Sequence, residues 1–137
     1  MALNPGECVA SGKATVTYEA GESISPGDVV GIDSGQLRAA NSGDASPNVV
    51  GVAGHGGGED AGEDYGSGDE VPVHVDGSAV IANVASGVSA GDELGPSASD
   101  GELAGGSAGI DALTDEGSMA GLSTNESMPT GYAAINY

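Results

Sequence analysis

The chain has 137 residues, with 21 acidic side chains against two basic ones, a formal net charge of −19 and 26 glycines. One lysine and one arginine, Lys13 and Arg38, cannot neutralise a run of phosphates, which excludes nucleic acid and anionic membrane surfaces as partners. No run of about 18 apolar residues is present to span a membrane. Residues 1–7 carry neither the basic nor the apolar part of a secretory signal, so the expected place of synthesis is the cytosol.

At low ionic strength so much like charge opposes compaction, whereas in molar salt the Debye length falls to about 3 Å. The composition therefore predicts adaptation to high salt. The β circular dichroism seen in molar KCl should weaken in dilute buffer, and a spectrum unchanged there would count against this. The 38 % of hydrophobic residues includes no Phe or Trp. Much of that share is alanine, so the core is thin for one domain spanning residues 1–137. Cys8 is the only cysteine, and self-association is the expected reinforcement in place of a disulfide.

In chain order, residues 1–12 read as an amino-terminal arm. Period-two alternation of β-branched residues then predicts strands over 14–18, 28–32, 48–53, 70–75, 78–82 and 132–136. Pro72 inside its run predicts an edge strand or a bulge. Residues 110–116 fit one short helical turn. Frequent Gly-Asp, Ser-Gly and Pro-Gly turns between short strands give an all-β fold, a small β-barrel or β-sandwich. Residues 54–70 are Gly-rich and acidic, and ordering them is entropically costly; they read as an exposed, flexible loop insert.

The sequence also echoes itself. Ser25-Pro26-Gly27-Asp28-Val29-Val30-Gly31 matches Ser89-Ala90-Gly91-Asp92-Glu93-Leu94-Gly95. Gly35-Gln36-Leu37 matches Gly101-Glu102-Leu103, and Val50-Gly51-Val52-Ala53 aligns with Ala120-Gly121-Leu122-Ser123. Two related β units are expected, each a tight turn feeding a strand and a hairpin return.

Motifs for chemistry are weak. Gly6 and Gly12-Lys13 lack phosphate-loop spacing, and Ala14 stands where a magnesium-binding hydroxyl is needed. Gly54-His55-Gly56-Gly57-Gly58 has Glu59 at the third glycine position of a dinucleotide fingerprint. Of the two histidines, His74 alternates with Val73 and Val75 as an exposed or structural residue. His55 lies in the insert, and Cys8 lacks a cationic neighbour in sequence. No enzyme and no cofactor are expected. Glu59, Asp60, Glu63, Asp64, Asp69 and Glu70 are candidates for gathering loosely bound hard cations, though their spacing fits neither common calcium loop.

The order of motifs from about Thr15 to Tyr137 resembles the capsid cement, or head-decoration, proteins of tailed viruses. The stretches that carry it are Tyr18 to Gly31 with its "aGd.V" turn, Gly35 to Ala40, Val49 to Ala53, Val71 to Val80, and Ala90-Gly91-Asp92-Glu93-Leu94. The resemblance implies a β-rich structural protein, a homotrimer or similar cluster, which binds the major capsid protein on the outer surface of an icosahedral virion and stabilises it. Combined with the charge, it implies a virus or provirus of a halophilic archaeon. The alternative is another viral surface or tail protein such as a spike, fibre or tail-tube component. Candidate shell contacts are Ala2, Leu3, Asn4, Pro5, Gly6 and Glu7, expected to add as a strand to an exposed sheet edge.

Overall fold

Short β-branched runs separated by glycine turns satisfy their main chains by pairing with one another. The computed structural model describes residues 4–10, 15–43, 49–55, 63–75, 79–119 and 127–136. These contain eleven strands and no helix. The first six are β1 (Cys8–Ala10), β2 (Thr15–Glu19), β3 (Val29–Asp33), β4 (Gln36–Ala39), β5 (Val49–Ala53) and β6 (Glu70–His74). The others are β7 (Ala79–Asn83), β8 (Glu93–Pro96), β9 (Leu103–Gly105), β10 (Ile110–Ala112) and β11 (Tyr132–Asn136).

Two antiparallel sheets result, ordered β2-β6-β5-β3-β4 and β1-β7-β11-β10-β8-β9. Apart from β1 the orders are identical, with β2 to β6 standing for β7 to β11. The chain is therefore a tandem of two five-stranded units. Their registers agree too: Val30, Gly31 and Ile32 face Ala39, Arg38 and Leu37, as Leu94, Gly95 and Pro96 face Gly105, Ala104 and Leu103. Parallel bridges Ala20–Leu37 and Val84–Leu103 join the end of each unit's first strand to its third, so each sheet curls partly closed.

The third step of the sequence echo belongs elsewhere. Gly27 N donates to Ala53 O (2.9 Å) and Ala53 N to Asp28 O (2.8 Å), just as Gly91 N donates to Ala112 O (2.8 Å) and Ala112 N to Asp92 O (2.9 Å). The counterpart of β5 is thus β10, while residues 120–123 lie outside the described residues. This also corrects the helical turn expected at 110–116. Ile110 and Ala112 are buried and Asp111 exposed, a period of two that pairs with β8 and β11 and outweighs a weak local preference.

Each unit wraps its own apolar cluster. Ile24, Val30, Leu37, Val71 and Val73 fill the first, and their counterparts Val88, Leu94, Leu103, Ala133 and Ile135 the second. Val29, Ala40 and Val52 of the first unit pack into the second cluster, which joins the units across a buried seam.

Pro72 lies in β6, between β2 and β5, and not at a sheet edge. Its missing N–H would have faced the Gly54 carbonyl, since Gly54 N donates to Pro72 O (2.7 Å). The Tyr65 hydroxyl donates to that carbonyl instead (2.6 Å). The same tyrosine anchors part of the 54–70 insert. Ile24 and Tyr65 exchange main-chain hydrogen bonds of 3.0 and 2.7 Å, which fastens the later part of the insert to the first unit. Residues 56–62 lie outside the described residues.

Candidate functional site

A chain with almost no basic side chains must find other donors for its carboxylates. Four turns use the main chain in one and the same way. In Asn4-Pro5-Gly6-Glu7, Ser25-Pro26-Gly27-Asp28, Gly66-Ser67-Gly68-Asp69 and Ser89-Ala90-Gly91-Asp92 the third residue is a glycine with φ of 75, 89, 91 and 91°. That sign of φ at the third position is what a type II turn requires. The fourth N–H donates to the first carbonyl at 3.0 Å in all four. The acid then folds back to accept the first residue's N–H, at 2.8, 2.9, 2.8 and 2.9 Å. These carboxylates act as turn clamps.

The first clamp shapes the arm. Gly6 N donates to Ile81 O (2.8 Å), Ile81 N donates to Glu7 O (3.0 Å), and β1 continues along the edge of β7 with Cys8 opposite Val80. The Gly6 carbonyl accepts from His55 N (3.2 Å) and lies 3.1 Å from His74 Nε2. The histidine can meet a carbonyl only as a donor, and in its neutral form that leaves Nδ1 as an acceptor, 3.4 Å from the Thr15 hydroxyl. Burial pushes the His74 imidazole below its ordinary range, in keeping with this neutral form. His55 Nδ1 is buried with no hydrogen-bond partner. Both histidines thus brace the arm against the seam, and His55 is fixed by Gly6 although its sequence neighbourhood reads as mobile.

Among the shell-contact candidates, Asn4 is exposed, Pro5 and Glu7 are half-buried and Gly6 is buried. Ala2 and Leu3 lie outside the described residues. The arm does add as a strand, but to this chain's own β7. Of the cation candidates, Glu63, Asp64, Asp69 and Glu70 are exposed, and Asp69 is taken up by its turn; Glu59 and Asp60 lie outside the described residues. Among the described residues no three His, Cys, Asp or Glu side chains converge to hold a metal.

One acid stands apart. Asp28 closes its turn as Asp92 does, yet it sits in the seam, where its side chain crowds Gly101 so closely that a Cβ there would lie 2.6 Å from the Asp28 Cγ. Burial raises its pKa to about 6; the Ser25 N–H and the Asn83 side chain work against that rise, and the charges of Asp64 and Asp100 add to it. Tyr132 is raised as well, by burial first and then by Asp28 and Asp64. The sequence carries nine glycine-acid pairs, of which these four form the turn device, so the pairs announce tight turns without singling out the clamps. Which copy would be drawn into the seam was not legible, because that depends on how the two units meet.

No family model and no curated protein sequence matches this chain.

Proposed function

We propose that the protein is a structural virion component that binds the outside of an assembled icosahedral capsid and stabilises it. The observation that carries this reading is the way its polar groups are used. The arm, the His74 imidazole and the turn acids are tied to main chain within the fold, which suits a rigid brace. The order of motifs supports it from the sequence side. A brace acts by mass action: it binds the assembled lattice and not the dissociated subunits, so small interfaces repeated by symmetry add up. With so few basic groups, contacts with the major capsid protein would be apolar, main-chain or bridged by loosely held cations, and a high-salt habitat in a halophilic archaeal host fits the charge. The protein would then reside on the outer virion surface.

Cryo-electron microscopy of particles incubated in molar KCl with the purified protein tests this. Density is expected at symmetry-related positions on the outer shell, and decorated particles should retain their genome to a higher temperature than bare ones. Density confined to a tail, spike or fibre would support the alternative assignment and overturn this one.

A further inference from the structure

The internal repeat exposes a difference between its two halves. In the second unit the outer edge of β7 is covered by β1. In the first unit the equivalent strand, β2, has β6 on one side and, among the described residues, no strand along its other side. The edge strands β4 and β9 are each bridged at Leu37 and Leu103 by the strand that closes their unit; on β2 that closure takes up the end, where Glu19 accepts from the Gln36 side chain (2.6 Å) and Gly21 N donates to Leu37 O (2.8 Å), and Thr15 to Thr17 lie clear of it.

The free groups on β2 follow from its register. Thr17 lies opposite Pro72 and Thr15 opposite His74. Pro72 has no N–H, and its carbonyl accepts from Gly54 on the β5 side. Thr17–Pro72 is therefore a non-hydrogen-bonded pair, and by alternation so is Thr15–His74. The N–H and C=O of both threonines point away from the sheet. Thr15, Val16 and Thr17 are exposed, Val16 to 37 %. No charge and no proline interrupts residues 15–18, although those are the usual protections of an open edge.

We infer that β2 is a self-association edge, and that its occupant is β2 of a second copy, paired antiparallel about a two-fold axis. The strip is uncharged on a chain of net charge −19, so a second copy can approach here without setting carboxylate against carboxylate. With Val16 opposite the second copy's Val16, each Thr15 meets a Thr17, and Glu19 stays against Gln36 of its own β4 (2.6 Å). Cross-strand pairs of β-branched and aromatic residues are favourable, and like charges directly opposite are not. A β2–β2 contact closes a two-fold assembly. It gives a dimer where the family resemblance implies a trimer, and it stands whether or not the protein binds a shell.

The test is the native mass of the full chain in molar KCl over a range of concentrations, for wild type and Thr17→Pro. Wild type is expected as a dimer. Thr17→Pro should be a monomer with an unchanged β circular dichroism spectrum, because the N–H it loses serves no bond within the first unit. Amide exchange of wild type supplies a second measurement that does not rely on the variant folding: Thr15 and Thr17 should gain at least about tenfold protection as the dimer forms. A wild type that stays monomeric, an oligomer that survives in folded Thr17→Pro, or Thr15 and Thr17 amides exchanging freely within the oligomer would each overturn the inference. A monomer that still decorated particles would leave the capsid reading intact while removing this one.

Discussion

Gly6→Ala should lower unfolding stability by more than about 3 kcal/mol, the range reached when a clash coincides with a strained backbone. Gly6 has φ +75°, and a Cβ there would run into the Ala53 carbonyl oxygen and lie 2.8 Å from both Gly54 C and His55 N. None of these obstacles can yield cheaply, because all three atoms are main chain. Relief comes only by moving the arm, which gives up the Gly6–Ile81 and Ile81–Glu7 hydrogen bonds together with the His55 and His74 contacts to the Gly6 carbonyl. The edge of β7 would then be bare. Denaturant unfolding in molar KCl measures the loss, and hydrogen exchange locates it: the Ile81 amide should lose its protection while amides in β3 and β4 keep theirs. A variant of wild-type stability with Ile81 still protected would show that the arm is not a structural strap. Removing residues 1–7 should likewise damage the fold, so loss of particle binding in such a truncation could not be assigned to a shell contact.

Asp28→Asn works in the opposite direction. Asp28 is held at about 6, above the 3.8 of an unperturbed aspartate. Between those values the folded state binds the proton more tightly than the unfolded state, so stability from this site is greatest at low pH and declines as pH rises through 6. A rise of that size corresponds to about 3 kcal/mol against folding above pH 7, as an upper figure. Asparagine keeps an oxygen for the Ser25 N–H and carries no charge. Asp28→Asn should therefore be more stable than wild type at pH 7.5 by up to that amount, with the difference closing by about pH 4. Asp92→Asn is the control: the same turn and the same 2.9 Å hydrogen bond, but an exposed side chain, with no burial cost to remove. Equal effects at the two positions, or a gain at Asp28 that does not vary with pH, would overturn the assignment of the seam as the cause.

The boundaries of β2, β3, β5, β6, β7 and β11 fall within a residue of where the runs of β-branched residues put them, although only β6 among them alternates in burial; β3, β5, β7 and β11 each bury three residues in a row, because successive residues face different apolar clusters. The strands that alternation alone leaves out, β1, β4, β8, β9 and β10, have three or four residues each, and of these the sequence echo placed β8 after its Gly-Asp turn and β4 and β9 at the hairpin returns. At that length a period of two cannot be distinguished from chance, and only the partner strand determines the outcome, as with Ile110–Ala112. Pro72 was misplaced for a similar reason. Whether a missing N–H matters depends on which neighbour it faces, and Tyr65 supplies the needed donor from seven residues away.

Composition and the alternation within short runs determined that the chain is all-β, rich in tight turns and dominated by negative charge, and the Gly-Asp echo alone was enough to reveal a repeat. These are local properties, readable one short window at a time. Only the packing of one unit on the other decided that the arm covers β7, that β2 is left open, and that Asp28 is half-buried while Asp92 meets water. Each of these depends on which surfaces become neighbours across the seam, and two copies of the same turn have different chemistry when only one of them is taken out of the solvent.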